Sequence, residues 1–470
     1  MLKEDNIVRF KDSKRQSFWS NFFHRQVNHL VSSQVVEDAR IIDIGCGDGS
    51  LIAACRPALA VGIETDPALI AVARQHNSDF EYLQSHVEDV GVTPLTEPDY
   101  VLLSMVLDEV YDVSRVLEKV SEWSTPTTRT VVVTYNRLWK PLLLLAEALR
   151  LKTANSSENY IPWAQLENIL ETSGFEITKR IDGVLFPVRI PLVSRFVNRW
   201  IAPLPLIRHF CLIRVTTVRK KFPLQAPPQS VSIIVAARNE AGNIAEIIRR
   251  VPQLAPIQEL IFVEGGSTDE TWQVIQAAVN SSSPQSFQSL IALQQTGKGK
   301  GDAVRAGFAI ATGEILMILD ADLSVPPEEL HRFVEAISGD ACEFANGSRL
   351  VYPMDEKAMR FLNILGNKFF AQAFEYLLGQ PVGDTLCGTK VLRRSDYERI
   401  SNNRKTFGDF DPFGDFDLLF GASKLSLRIR DIPVHYKERT YGTTNISRFS
   451  HGLLLVRMCA LAAKKLKFVG

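Results

Sequence analysis

The sequence predicts an α/β protein with two domains, each built on a mainly parallel sheet covered by helices. Its 470 residues exceed the usual size of a single domain. Short runs rich in β-branched residues alternate with longer helical patterns in both halves, which is typical of parallel sheets. A proline-rich linker over residues 222–230 separates the halves. We therefore expect a first domain over residues 1–221 and a second over residues 231–470, ending in an amphipathic tail.

Short apolar runs mark the predicted strands. In the first half they are RIIDIG, AVGIET, DYVLLS and TVVVTY, with a later GFEITKR, and in the second half they are SIIVAA, ELIFVE and EILMILD. Residues that follow such runs lie at the carboxyl edge of a parallel sheet, where α/β proteins bind their ligands. The candidate site residues are therefore sought directly after these strands.

The charge balance of the sequence limits the classes of binding partner that we expect. Lys plus Arg and Asp plus Glu both number 53, so we expect no nucleic-acid partner. Residues 183–221 contain eight basic and no acidic residues, and residues 439–470 contain six and none. Such basic, apolar stretches suit the surface of an anionic membrane, although a solvated face plus buried core explains them equally well. No apolar stretch has the length of a spanning helix.

The termini and cysteines indicate a reducing compartment. The N-terminal residues lack the apolar core of a signal peptide. None of the 6 cysteines forms a CxxC pair, so neither a zinc site nor a disulfide framework is expected. We expect a cytoplasmic protein that lies peripherally at the inner face of the membrane.

A glycine-rich turn follows the first strand of the first half. Asp43, Gly45, Gly47 and Gly49 come between an apolar run and a helical pattern, where glycines let a ligand approach the backbone and the helix N-terminus. The next strand ends on Glu64, a carboxylate able to accept hydrogen bonds from ribose hydroxyls. The spacing is not GxGxxG, which disfavours a nicotinamide cofactor.

Residues 40–180 resemble the class I S-adenosylmethionine-dependent methyltransferases, whose DxGxGxG turn matches Asp43 to Gly49. The resemblance implies a Rossmann-like fold and the cofactor S-adenosylmethionine. It assigns Asp43 and the glycines to the methionine part, Glu64 to the ribose, and Val87 and Glu88 to the adenine. The absence of an Asn-Pro-Pro-aromatic motif disfavours methylation of nucleic-acid bases. A domain that binds the cofactor without methylating remains an alternative.

In the second half, LMILDADLSVPPEEL ends a core strand on Asp320 and Asp322. Two carboxylates one residue apart are able to meet one Mg²⁺ or Mn²⁺ ion, which in turn neutralises a diphosphate leaving group. The alternative is an ordinary strand-to-helix turn in which Asp322 or Ser324 caps the helix. Arg238, Glu240 and Glu264 follow two other strands and favour the ligand site. The loop TGKGKG offers Lys298 or Lys300 to phosphate but lacks the Walker spacing.

Residues 231–445 resemble the family 2 glycosyltransferases of the GT-A fold, and most of all the dolichyl-phosphate and polyprenyl-phosphate sugar synthases. The resemblance implies a nucleotide-diphospho-sugar donor and a polyprenyl-phosphate acceptor. The residues it assigns to the nucleotide sugar are Ala237, Arg238, Glu240, Glu264, Lys298, Asp320, Ala321 and Asp322, with Asp320 and Asp322 as the metal ligands of the DxD motif.

The same resemblance assigns Arg349 and Arg439 to the acceptor phosphate and Asp415, or alternatively Asp417, to the catalytic base. A hydroxyl of a polysaccharide or glycolipid is the alternative acceptor. Two departures from the family stand out: Thr444-Asn445 replaces a Ser-Lys pair, and residues 351–379 form an insertion-like amphipathic pattern. The interpretation is a bifunctional fusion of a methyltransferase-like domain with an inverting glycosyltransferase.

Overall fold

The structure is a computed structural model that describes residues 13–148, 161–223, 226–281, 287–352, 361–404, 415–439, 441 and 448–468. It divides into two compact units, Met1–Lys221 together with Lys464–Gly470, and Phe222–Ala463. The described residues of each unit form one seven-stranded sheet flanked by helices. The predicted architecture of two α/β domains is therefore confirmed.

The first unit has the strand order β3-β2-β1-β4-β5-β7-β6. Its strands are β1 (Arg40–Ile44), β2 (Leu59–Glu64), β3 (Glu81–Gln84), β4 (Tyr100–Ser104), β5 (Arg129–Tyr135), β6 (Phe175–Gly183) and β7 (Ile213–Lys220). Its helices are α1 (Ser13–Ser32), α2 (Ser50–Cys55), α3 (Pro67–His76), α4 (Val113–Trp123), α5 (Lys140–Ala148), α6 (Trp163–Thr172) and the short α7 (Val193–Phe196). Strands β1 to β5 pair in parallel, and β7 runs antiparallel to both neighbours.

Alternate residues of the central strands point to two apolar layers, as the pleat of a strand requires. Ile41 and Leu102 pack in one layer with side chains of α1 and α2. Ile42 and Leu103 pack in the other with side chains of α4 and α6. Burial on both faces explains why these strands are continuously apolar in sequence.

Strand β7 was not predicted, because it lies inside the basic stretch of residues 183–221. Arg214 donates to Asp182 of β6 at 2.7 Å, and Arg219 pairs with Glu176 of the same strand. The carboxylates of β6 thus neutralise part of the positive charge of this stretch. Within residues 183–221, the candidate for a basic, apolar surface is therefore mainly the segment before β7.

The second unit has the order β10-β9-β8-β11-β13-β12-β14. Its strands are β8 (Ser230–Ala237), β9 (Ile257–Glu264), β10 (Ser289–Gln294), β11 (Ile315–Ile318), β12 (Phe344–Ser348), β13 (Lys390–Arg393) and β14 (Ile429–Pro433). Its helices are α8 (Ile244–Arg250), α9 (Thr271–Asn280), α10 (Lys300–Ile310), α11 (Leu330–Ser338), α12 (Phe361–Leu378), α13 (Arg394–Asn402), α14 (Asp415–Lys424) and α15 (Arg448–Ala462). Strands β8 to β11 pair in parallel, and β13 runs antiparallel to β11 and β12.

Every apolar run predicted as a strand falls on one of these strands. Within the described ranges, no helix is both long and apolar enough to cross a membrane. All six cysteines are free thiols, and five of them are buried.

Candidate active sites

Three neighbouring parallel strands of the second unit end at one edge of the sheet. Ala237, the last residue of β8, pairs with Glu264, the last residue of β9. On the other side of β8, Ile318 of β11 pairs with Ile234, so Asp320 follows at the same edge. Three residues assigned to the nucleotide sugar from separate stretches of sequence, Ala237, Glu264 and Asp320, therefore lie at one edge of the sheet.

Each acid of the DxD motif contacts a basic side chain. The Lys300 ammonium lies 2.6 Å from Asp320 Oδ1, and Arg439 Nη2 lies 2.5 Å from Asp322 Oδ2. Asp322 Oδ1 accepts hydrogen bonds from the amide and hydroxyl of Ser324, at 3.0 and 2.7 Å. Asp322 thus closes a local turn onto Ser324 with one oxygen and contacts Arg439 with the other. Neither Asp322 nor Ser324 caps the short helix that begins after Pro326.

Asp320 lies among several positive charges. Its burial acts to raise the pKa of the carboxyl, but Lys300 outweighs this effect, with help from Arg349 and Lys390, and the pKa falls below its ordinary value. A Cβ atom at Gly388 would collide with both Asp320 and Lys300, so only glycine permits this close approach. The site is therefore arranged to keep Asp320 ionised.

The structure distinguishes the two lysines of the TGKGKG loop. Lys298 is exposed, whereas Lys300 begins α10 and reaches Asp320. The sequence-based prediction singled out Lys298 for the donor phosphate. The contact with the DxD motif instead belongs to Lys300, which a helix fixes in place.

Glu240 shares Arg439 with Asp322. Its Oε1 lies 3.7 Å from Arg439 Nη1, and its Oε2 accepts from Asn243 Nδ2 at 2.6 Å. Burial raises the pKa of Glu240 to about 7, against the effects of Asn243 and Arg439. Arg439 therefore bridges two predicted donor-site acids.

The remaining donor-site residues differ in exposure. Glu264 is buried and accepts from the amide of Ser267 at 2.5 Å and from Gln294 at 3.5 Å, which closes its own glycine turn. Ala321 is buried between the two acids, and Arg238 is exposed at the end of β8. Of these three residues, Arg238 is the one whose side chain is exposed.

Arg349 takes part in a buried bidentate ion pair. Its Nε and Nη2 donate to the Asp384 carboxylate at 2.7 and 2.8 Å, and Asp384 is fully buried. Its guanidinium also lies 5.0 Å from the ring centre of Tyr436. Arg349 lowers the pKa of Asp384 to about 2, against the effect of burial. No local pattern marks Asp384 in the sequence, because its partner lies 35 residues away.

The two candidate bases lie on α14. Asp417 is largely buried and forms an ion pair with Arg404 at 2.7 Å. The side chain of Asp415, and the Thr444-Asn445 pair, lie outside the described residues. Part of the insertion-like segment forms α12, and residues 353–360 of it also lie outside the description.

The donor set at Asp320 and Asp322 fits a hard divalent cation. Both side chains offer carboxylate oxygens, the ligands that Mg²⁺ and Mn²⁺ prefer. In the part of the chain that is described, no group of three or more acidic, histidine or cysteine side chains is arranged to hold a metal. Any cation here would therefore take its other ligands from substrate phosphates and water, which is how Mg²⁺ commonly binds.

The glycine turn of the first unit has the conformation that the motif predicts. Gly45, Gly47 and Gly49 have φ values of 71°, 54° and 73°, a region that favours glycine. A Cβ atom at Gly47 would meet nothing within 4 Å, so the backbone faces open space there. The turn leaves room for a ligand against its backbone.

Glu64 holds this turn. Its Oε2 accepts from the amide of Gly47 at 3.0 Å, while Oε1 accepts from the amides of Thr65 and Asp66 at 2.7 and 3.1 Å. Val87, which is buried, and Glu88 begin a short turn after β3 at the same edge. The residues predicted to contact ribose and adenine thus follow adjacent strands.

Asp43 is a fully buried carboxylate on β1. Neither of its oxygens has a hydrogen-bond partner among the described residues. Burial, and secondly the charge of Glu64, raise the pKa of Asp43 to about 8. An unsatisfied buried carboxyl beside an open glycine turn fits a ligand that brings positive charge and hydrogen-bond donors, as S-adenosylmethionine does.

Two family models match separate parts of the chain. The family model Methyltransferase domain matches residues 12–180, and the model Glycosyl transferase family 2 matches residues 232–401. Undecaprenyl-phosphate 4-deoxy-4-formamido-L-arabinose transferase of Yersinia pestis (strain Pestoides F) is 28% identical over 232 residues, which is 48% of this chain and 64% of that protein. The chain thus spans less than two thirds of the length of this relative.

Solved structures with lower similarity include members of both classes. An S-adenosylmethionine-dependent methyltransferase from Mesorhizobium loti is 19% identical with a TM-score of 0.31, covering 39% of this chain and 92% of that one. Glucosyl-3-phosphoglycerate synthase from Mycobacterium tuberculosis, solved with Mn²⁺ and uridine diphosphate, is 18% identical with a TM-score of 0.37, covering 51% and 80%.

The family matches confirm the two resemblances drawn from the motifs. The chain is an enzyme that joins a methyltransferase domain, over residues 12–180, to a domain of glycosyl transferase family 2, over residues 232–401.

Proposed function

We propose that residues 231–470 transfer a sugar from a nucleotide-diphosphate donor to a polyprenyl phosphate, and that residues 1–221 bind S-adenosylmethionine and methylate an acceptor. One observation carries the first part: two strand-end acids, Asp320 and Asp322, each contact a basic side chain at the same edge. A site with both charges suits a metal-bound diphosphate. The name of the Yersinia pestis relative supports the acceptor class.

When the donor binds, the ion pairs between the acids and the bases of this site would be replaced by contacts with the donor and its cation. Asp320 and Asp322 would hold a divalent cation, which supplies charge neutralisation to the leaving diphosphate when it is bound. Lys300, released from Asp320, would then contact an oxygen of the donor diphosphate, while Arg439, released from Asp322, would turn to the acceptor phosphate, where the guanidinium fork suits a pair of oxygens. Ala237, Arg238, Glu240 and Glu264 would surround the nucleoside.

Transfer is a single displacement at the anomeric carbon. An oxygen of the acceptor phosphate forms a bond to that carbon while the bond from the carbon to the diphosphate oxygen breaks. The diphosphate leaves with the electron pair, and the configuration inverts because attack and departure occur on opposite faces. Lys300 stabilises the charge that develops on the departing oxygen.

An ionised phosphate acceptor needs no strong base. Asp415 would therefore position the acceptor or sugar, and Asp417, which is tied to Arg404, would support α14. Arg439 is the proposed contact for the acceptor phosphate once the donor is bound. The Arg349 pair with Asp384 would fix the floor of the acceptor site beside Asp320.

The methyltransferase site would use the residues around the glycine turn. Asp43 would face the positive charges of S-adenosylmethionine, and the glycines would pack against its methionine part. Glu64 would give up a hydrogen bond from a backbone amide and accept hydrogen bonds from the ribose hydroxyls. Val87 and Glu88 would lie beside the adenine. The protein would work peripherally at the cytoplasmic face of the membrane, where a polyprenyl phosphate is available.

A lipid-labelling assay tests the proposal. Purified protein is incubated with Mn²⁺, radiolabelled nucleotide sugars and a polyprenyl phosphate, and label is counted in the organic extract. We expect label from one sugar, and none with the Asp320→Ala variant. Metal-dependent release of nucleotide without lipid label would contradict the polyprenyl-phosphate acceptor and favour the alternative, a hydroxyl acceptor on a polysaccharide or glycolipid. In that case Asp415→Asn should abolish transfer.

A further inference from the structure

A concave basic site lies in the first unit, between α1 and the segment that precedes β7. Its volume is about 600 Å³, within the range of small-molecule sites. Its lining includes the arginines Arg25, Arg189, Arg195 and Arg199 together with His29, and none of the described residues that line it is acidic. A cavity whose lining carries this much positive charge favours an anionic ligand.

Helix α1 presents one face to this site and buries the opposite one. Arg25 and His29 are four residues apart and therefore share a face. Val27 and Val31 are fully buried in the core of the sheet. The position of the basic face is thus fixed by the packing of the helix.

The other wall is the segment around α7, which side-chain hydrogen bonds hold in place. The Asn198 side chain is hydrogen-bonded to both the amide and the carbonyl of Phe186 at 2.8 Å, and the Ser194 hydroxyl accepts from the amide of Ile190 at 2.6 Å. Arg199 Nε is buried and has no hydrogen-bond partner within the described part of the chain. This N–H group can therefore donate a hydrogen bond to a ligand, for example to a phosphate oxygen.

Apolar side chains project from the segment that forms this wall. Leu192 is 88% exposed and Leu206 is 83% exposed. Leu192 also has a φ of 65°, a conformation that is unfavourable for a residue with a Cβ atom. Exposed leucines next to a basic site match the pattern of proteins that lie on membranes.

We propose that this site binds the phosphate headgroup of a membrane lipid while Leu192 and Leu206 enter the lipid layer. The inference deepens the membrane contact of the proposed function and rests on it. It requires neither S-adenosylmethionine nor a nucleotide sugar. Transfer to a detergent-solubilised acceptor is therefore a separate readout, and the failure of one proposal is distinguishable from the failure of the other.

The first test is cosedimentation of the full chain with phosphatidylcholine vesicles, with and without phosphatidic acid. We expect binding that depends on phosphatidic acid. The Arg25→Gln/Arg195→Gln double variant should bind about thirtyfold more weakly, because each arginine beside an anionic surface strengthens binding about fivefold. The Arg56→Gln/Arg115→Gln double variant removes the same charge from exposed positions outside the site and should bind like the wild type.

Equal reductions in both double variants would overturn the proposal, because they would indicate diffuse attraction and not a site. No binding of the wild type to phosphatidic acid would also overturn it. A third variant, Leu206→Ser, separates lipid from free phosphate, because Leu206 is exposed and lies outside the lining of the site. It should lose vesicle binding yet retain binding of glycerol 3-phosphate in calorimetry, and retained vesicle binding would overturn the role of the leucines. Thermal unfolding confirms that each variant is folded.

Discussion

The two domains end core strands on acids in the same way but surround those acids differently. In the first domain, Asp43 is buried without a hydrogen-bond partner among the described residues, and the pKa of its carboxyl is raised to about 8. In the second domain, Asp320 and Asp322 each contact a basic side chain, and the pKa of Asp320 is lowered. In the first site the acid has no hydrogen-bond partner among the described residues, whereas in the second site Lys300 and Arg439 pair with the two acids.

This difference matches the charges of the proposed ligands. S-adenosylmethionine carries a sulfonium and an ammonium group, which would satisfy the unpaired acid. A nucleotide sugar brings negatively charged phosphates together with a positively charged metal ion. The acids of the second site would contact the metal ion, and its basic side chains would contact the phosphates. The charge balance of each site therefore indicates the charge that its ligand brings.

The largest expected effect comes from removing a base of the second site. We expect Lys300→Ala to lower kcat by about 10²–10³-fold, because the departing diphosphate loses a fixed positive charge. Lys298→Ala is the matched control, since it removes an exposed lysine two residues away. Steady-state rates of sugar transfer measure both. A larger loss for Lys298→Ala would show that the contact between Lys300 and Asp320 does not serve catalysis.

Much of the fold follows from local sequence patterns. Continuous apolar runs such as RIIDIG and SIIVAA are dictated by burial on both faces of a strand, so their positions were predictable. Strand β7 was not, because its arginines resemble a surface stretch until their partners on β6 are known. The glycine turn and the DxD acids were also predictable, because their spacing is local.

The pairing of the site residues was not predictable from single motifs. Arg439 and Asp322 lie 117 residues apart, and Lys300 and Asp320 lie 20 apart. Whether Lys298 or Lys300 reaches the acid depends on where α10 begins, and helix ends are poorly defined by sequence. The raised pKa of Asp43 likewise depends on burial, which the motif does not reveal.

The second prediction concerns the stability of the first domain without ligand. Because folding raises the pKa of Asp43 from 3.8 to about 8, its contribution to stability is fullest below the lower value and is lost as the pH rises to the higher one. Asp43→Asn should therefore raise the free energy of unfolding, by on the order of a few kcal/mol above pH 8. The gain should shrink as the pH falls towards the ordinary pKa of an aspartate.

Denaturant unfolding of the full chain at several pH values measures this effect. Asp79→Asn is the control, because Asp79 is exposed in the same domain. A gain for Asp43→Asn that is independent of pH would mean that the wild-type carboxyl does not change its protonation on folding.

The third prediction compares two bidentate ion pairs of the second domain. Arg349→Lys should lower the free energy of unfolding by about 2 kcal/mol, because lysine cannot satisfy both oxygens of the buried Asp384. Arg250→Lys is matched in chemistry, but Glu328 is largely exposed, so its effect should stay below about 1 kcal/mol. Equal losses would show that burial does not govern these pairs.

The smallest signal is a proton released when S-adenosylmethionine binds. At pH 7 the carboxyl of Asp43 is mostly protonated, because its pKa is about 8. The positive charges of the ligand would lower that pKa and drive the proton off. Calorimetry in buffers of different ionisation heat should therefore detect release of nearly one proton by the wild type and none by Asp43→Asn. Glu88→Gln, at the proposed adenine side, should still release it. If S-adenosylmethionine binds to the wild type without releasing a proton, Asp43 does not face the cofactor. The proposed ligand would then not explain why this carboxyl is buried without a hydrogen-bond partner among the described residues.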